Sequence, residues 1–155
     1  SDHHEGEIAM RFMILALLLA GCTTNSPLHY GNYLNPSAVA YNKEIAEDSV
    51  KKLVALYPPA TTRIDIKQAT ADDFGGKLVE LLRVKGYAIL EYNPATEAQS
   101  KNSANSPIDL KYIVDQVPSM SIYRATLLIN EQPLSRVYTA HNGILQPAGS
   151  WARKE

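Results

Sequence analysis

The sequence predicts an α+β domain: two helices on one face of a mixed, mainly antiparallel sheet. Three observations predict it. Two segments carry apolar residues near a 3.6-residue period, and each stops at Pro or Gly. Alternating apolar and polar residues recur from 109 to 146, divided by short turn signals. The resulting order, α-β-α-β-β-β-β, lets the two helices cover one sheet face.

The first helix is expected over 37–57. Val39, Ala46, Val50, Leu53, Val54 and Tyr57 share one side, and Lys43, Glu44, Glu47, Asp48, Lys51 and Lys52 the other. Glu47 and Lys51 have i,i+4 spacing for an ion pair. Pro58-Pro59 ends the helix. Residues 62–67 alternate, with Ile64 and Ile66 inward and Arg63, Asp65 and Lys67 outward, as in a half-buried strand. Thr70 then reads as an N-cap with Asp73 reaching back. The helix so opened presents Phe74, Leu78, Leu81 and Leu82 and ends at Gly86, a residue suited to a left-handed C-terminal position. Residues 87–92 are apolar on both faces and predict a strand inside the sheet.

The polar stretch 93–107 has two prolines and no period, so it is expected to be disordered or functional. Strands follow at 109–117 and 121–129. Asn130-Glu131-Gln132-Pro133 predicts a turn, and 134–140 the returning strand. His141-Asn142-Gly143 is a second hairpin signal, because Asn-Gly fits a type I′ turn. A short strand, 144–146, precedes an irregular end through Pro147, Gly149 and Trp151.

The N-terminal residues carry a different signal. Arg11 precedes an apolar run from Phe12 to Leu19, too short for a spanning helix of about 20 residues. The run closes on Leu19-Ala20-Gly21-Cys22, and Cys22 is the sole cysteine. These four residues resemble the lipobox of bacterial lipoproteins. The resemblance implies cleavage between Gly21 and Cys22 and acylation of Cys22, for which a thiolate is the required nucleophile. Residues 1–9 have acidic Asp2, Glu5 and Glu7 and no Lys or Arg, the wrong sign for a signal sequence, so Met10 is the expected natural start. The expected organisation is therefore signal peptide with upstream residues at 1–21, a lipidated flexible leader at 22–36, and one α+β domain at 37–155. Within the leader, Tyr30 and Tyr33 are read as part of a tether or as a docking element.

The 134 residues from Cys22 onward are enough for one core without disulfides. Without Arg11, Asp2, Glu5 and Glu7 they hold 14 basic and 13 acidic residues, a net charge near +1. A nucleic-acid binder normally shows a basic excess, so direct contact with nucleic acid is not expected. Nine tyrosines stand against two phenylalanines, a skew that suits half-buried sheets and interfaces.

Chemistry-bearing residues do not form a catalytic pattern. His29 and His141 lack metal-ligand partners, and Ser135 and Ser150 lack a base. Asp72-Asp73 reads as helix capping. Gly75-Gly76 at a helix start would suit phosphate, but the two adjacent acids repel it. No catalytic residue, metal or cofactor is expected, and the protein is expected not to be an enzyme. Trp151 with Arg153 either closes one end of the core or forms a protein-docking surface.

The order of these features resembles the conjugal-transfer lipoprotein family TrbH. The resemblance is carried by Leu19-Ala20-Gly21-Cys22, Tyr30-Gly31-Asn32-Tyr33, Asp72-Asp73-Phe74, Leu81-Leu82, Gly86-Tyr87, Gly143-Ile144-Leu145, Pro147 and Gly149-Ser150-Trp151. It implies a small outer-membrane lipoprotein on the periplasmic face, palmitate-anchored. It also implies a place among the channel subunits of a type IV secretion system that supports plasmid conjugation. Thr23, in place of Asp, after the cysteine favours the outer membrane. A second expectation follows from two helices on a mixed sheet behind an acyl anchor: an accessory lipoprotein of a lipid-transport system.

Overall fold

The computed structural model describes residues 29–95 and 107–154. In chain order the elements are β1 (Gly31–Asn32), α1 (Tyr41–Leu56), β2 (Arg63–Ile66), α2 (Asp73–Val84), β3 (Ala88–Leu90), β4 (Ile108–Gln116), β5 (Ile122–Ile129), β6 (Gln132–His141), β7 (Ile144–Pro147) and β8 (Ala152–Arg153). Short 3-10 turns at Pro36–Ala38 and Pro59–Thr61 precede α1 and β2. The sheet runs β3-β2-β4-β5-β6-β7, with β1 added to β4 and β8 to β6. The β2–β3, β2–β4 and β1–β4 pairs are parallel and the rest antiparallel. This is the mixed α+β architecture expected from the sequence.

Period-2 alternation puts Ile64, Ile66, Leu110, Tyr112, Val114, Tyr123, Ala125, Leu127, Leu134 and Tyr138 on one buried face. Ile45, Ala46, Val50 and Leu53 of α1 and Phe74, Leu78 and Leu82 of α2 join them in one core. Phe74 meets Tyr112 edge-on, with centroids 4.9 Å apart. The first helix starts four residues later than 37, because Pro36–Ala38 forms a 3-10 turn and Val39 stays exposed. On its outer side the ion pair is Lys43–Glu47 at 3.9 Å, one turn before the spacing expected at Glu47–Lys51.

The second helix is capped two residues later than Thr70 suggests. Asp72 is the N-cap, and its Oδ1 accepts the Gly75 N–H at 2.8 Å. At the other end Gly86 has φ +95°, Gly86 N–H donates to Arg83 O and Tyr87 N–H to Leu82 O. That pair of bonds is a full Schellman closure, with Tyr87 and Leu82 both buried.

Two strands and one turn differ from the sequence expectation. The 87–92 segment is an edge strand of three residues, and Leu90 is 51 % exposed. Its apolar run could not distinguish an interior strand from a parallel edge strand that follows a helix. Asp65, expected outward in solvent, is buried because β2 has neighbours on both sides, and Arg63 Nε bonds its Oδ1 at 3.3 Å. The 130–133 turn is shorter than expected: Asn130 and Glu131 alone turn, at φ +50° and +66°, while Gln132 and Pro133 already pair in β6. Asn130 exchanges two bonds with Asp109, and Glu131 pairs with Lys111 at 2.6 Å, which clamps the turn to β4. The Asn142-Gly143 turn has φ +52° and +74°, as a type I′ hairpin requires.

The segment read as a flexible leader is docked from His29 onward. One edge of β4 is covered by three partners in succession. Lys67 N–H of the β2 end donates to Leu110 O, Gln68 Oε1 accepts Tyr112 N–H at 2.6 Å, and β1 pairs with Ile113 and Val114. Together they satisfy backbone groups that a bare edge would leave unpaired. Asn32 also donates to Asn42 Oδ1 at 2.8 Å, tying β1 to the start of α1. The 93–107 stretch lies outside the described residues from 96 to 106.

Candidate functional site

Two polar anchors hold the helices to the sheet, and both use tyrosines of the buried face. Tyr112 of β4 donates its hydroxyl to Asp72 Oδ2 at the start of α2. Tyr138 of β6 donates its hydroxyl to Asp48 Oδ2 in the middle of α1. Burial first, and then the adjacent carboxylate, push both phenols well above the ordinary tyrosine range. For Tyr138 the Arg136 charge opposes part of that rise. For Tyr112 the Gln68 amide does so, although Gln68 Nε2 makes no hydrogen bond of normal geometry.

The Asp48 anchor continues to the C-terminal segment. Arg136 Nη1 bonds Asp48 Oδ1 and Oδ2 at 3.0 and 2.9 Å. Its Nε donates to Gly149 O at 2.8 Å. Ala148 N–H donates to Val137 O, and Lys154 N–H to Pro133 O. The end expected to be irregular is therefore organised as β8, whose Ala152 and Arg153 register with Ser135 and Leu134. Trp151 is half-buried and packs against the core, while Arg153 is exposed beside it. The structure thus brings Trp151 and Arg153 to one end of the sheet. It gives the tryptophan a closing role there and leaves the arginine free to meet solvent.

Among the described residues, no element covers the sheet face away from the helices. It shows Ile113, Asp115, Arg124, Thr126 and Val137, with Arg124 bonded to Asp115 and Thr126 Oγ1 to Ser135 Oγ at 2.9 Å. His29 and Tyr33 border a cleft of about 470 Å³ with Ile113, Asp115, Arg124 and Thr126. A second depression of about 290 Å³ shares Asp115 and Arg124 and extends to Val117, Pro118, Ile122 and Val137. Tyr30 lies under Lys111 Nζ, 4.6 Å from its ring centre.

Other residues weighed from the sequence have structural places. His141 ends β6 at the Asn142-Gly143 turn and is exposed. Asp72 is the cap, and Gly75 lets α2 approach Tyr112. Among the described residues, no three of His, Cys, Asp and Glu converge to hold a metal ion. Asp48 and Arg136 were not singled out from the sequence. The signal was there: Arg136 sits between Leu134 and Tyr138 on the inward period-2 face, so it needs an acceptor on a helix. Leu19, Ala20, Gly21 and Cys22 lie outside the described residues. Among those described, no helix is long and apolar enough to cross a membrane.

The conjugal transfer protein TrbH family model matches residues 27–155, from just ahead of β1 to the last residue. Comparisons with curated proteins and with solved structures found no match. The matched region contains both polar anchors, the open sheet face and the Trp151 end. The chain belongs to the TrbH family of conjugal transfer proteins.

Proposed function

We propose that this protein is an acylated structural component of a conjugative type IV secretion apparatus, held on the periplasmic face of the outer membrane through Cys22. The family match over residues 27–155 carries the reading. The lipobox pattern at Leu19-Ala20-Gly21-Cys22, just upstream of the match, supports the anchor. Thr23 after the cysteine supports the outer membrane as the destination. The role is one of binding, not catalysis. Asp48, Asp72 and Arg136, the half-buried charges between helices and sheet, are engaged in holding the two layers together. Arg153 beside Trp151 is the proposed docking edge for other channel subunits, since Trp and Arg dominate interface hot spots.

The anchor has a direct test. Two or more acyl chains give stable anchoring, since each buried methylene contributes about 0.8 kcal/mol. Cells fed a palmitate analogue are expected to label the wild-type chain and not Cys22→Ser, which accumulates as unprocessed precursor. Equal labelling of the two would remove Cys22 as the acylation site.

A further inference from the structure

We propose that the groove between α1 and α2 is a docking surface for a partner protein, and that it takes an amphipathic helix whose apolar anchors are flanked by Asp or Glu. The proposal is independent of the anchor at Cys22.

The groove follows from how the two helices lie on the sheet. Ile45 and Leu53 of α1 and Leu78 and Leu82 of α2 are buried, and the residues beside those stripes line a channel between the helices. Val50 and Val54 are one turn apart on α1, and Leu81 and Lys85 one turn apart at the end of α2. With Glu47 and Lys51 they line a groove of about 420 Å³. Val50 is buried, and Val54 and Leu81 are half-buried. Val84 lies beside Leu81 on the helix surface, three residues on. It is 75 % exposed, more than any other large apolar side chain among the described residues.

The charges around the groove identify the occupant. Between Tyr41 and Tyr138 every described lysine and arginine is in an ion pair except Lys51, Lys52 and Lys85. Two of these three line the groove, one from each helix. Lys51 is left over because Glu47 turns back to Lys43. A phosphate-bearing polymer would suit the lysines but would leave Val54, Leu81 and Val84 without apolar cover, and Glu47 would repel it. A second copy of this chain on a two-fold axis would set lysines against lysines. An amphipathic helix answers both features. Its apolar side chains at i and i+4 enter a groove one turn long, and carboxylates beside them meet Lys51 and Lys85.

The test uses the full-length protein in donor cells that carry its whole transfer system. The photoreactive residue p-benzoylphenylalanine is placed at Val84, beside the groove, or at the exposed Gln146 of β7 as a control. Irradiation is expected to give a protein adduct at position 84 that position 146 does not give. Mass spectrometry of that adduct is expected to map a segment with apolar residues at i and i+4 and Asp or Glu beside them. Lys51→Glu combined with Lys85→Glu should lower the yield about tenfold, since two attractions become repulsions. Both lysines are exposed, so the melting curve should stay that of the wild type. Lys51→Gln combined with Lys85→Gln adds no repulsion, should give a smaller fall, and serves as the test where the reversed chain does not fold. Changing the mapped acids of the partner to lysine should restore the adduct to the Glu variant. Four results would each overturn the proposal: no adduct at position 84, an adduct to a second copy or to lipid, a mapped segment without acids, or a yield unchanged by the lysine substitutions.

Discussion

Replacing Gly75 by alanine is expected to destabilise the domain by about 3 kcal/mol, the upper end of the range for overpacking a filled core. Replacing its neighbour Gly76 by alanine is expected to stabilise it by about 0.5 kcal/mol, since glycine is the weaker helix former. The contrast comes from what each added methyl would meet. A Cβ on Gly75 would lie 2.0 Å from the Tyr112 hydroxyl oxygen and 2.9 Å from Thr70 Cα, both in a packed layer. A Cβ on Gly76 meets nothing nearer than Thr70 O at 3.7 Å. The Gly75 methyl must displace either α2 or Tyr112, and either movement breaks the hydroxyl bond to Asp72. Tyr112→Phe removes the clashing oxygen, so the double variant should cost less than the sum of the singles. Urea melts of the four proteins measure this coupling. Equal stabilities for the two glycine variants would mean that α2 does not approach β4 at Gly75.

Asp48→Ala is expected to cost about 2–3 kcal/mol. Breaking a buried ion pair by removing one partner costs about 3–5 kcal/mol, because the other charge is left without compensation. Here the Asp48 and Arg136 side chains are 23 % and 22 % exposed, so water recovers part of that loss. The substitution also strips the Tyr138 hydroxyl of its acceptor. A local effect accompanies the global one. Arg136 is positioned by Asp48 and in turn holds Gly149 O, so amides of 148–154 should exchange faster in the variant. Asp48→Asn keeps an acceptor for Tyr138 and should lose less. A wild-type melting curve for Asp48→Ala would show that the anchor does not stabilise the fold.

The sequence made the elements legible where one signal dominated. Alternation from Leu110 through Tyr138 placed the buried sheet face, and Asn142-Gly143 and Gly86 marked backbone positions with positive φ that the structure shows. It misled where local chemistry offered two equivalent answers. Thr70 and Asp72 are both good caps, and Asp72, which the Tyr112 hydroxyl also bonds, is the one used. The apolar 87–92 run gave no information about its neighbours, so an edge strand looked interior. The docking of 29–33 depends on Val114 and Asn42, 82 and 10 residues from Asn32, and no local pattern records such a contact. For the candidate site, Trp151 and Arg153 were legible as residue types. The Asp48–Arg136–Tyr138 cluster that organises their segment was not read, although an inward arginine on a period-2 face announces a partner. The tyrosine excess finds its reason in the same places: Tyr112 and Tyr138 need the hydroxyl that phenylalanine lacks.

The folded domain is proposed to serve conjugation from a lipid anchor. Plasmid transfer frequency measures it most directly, in donors whose own copy of the gene is deleted and replaced by wild type or Cys22→Ser at matched protein levels. Wild type is expected to restore transfer, and Cys22→Ser to leave it at the level of the deletion, with normal plasmid maintenance in both. Transfer at the wild-type frequency by donors carrying Cys22→Ser, or by donors lacking the gene, would contradict the account.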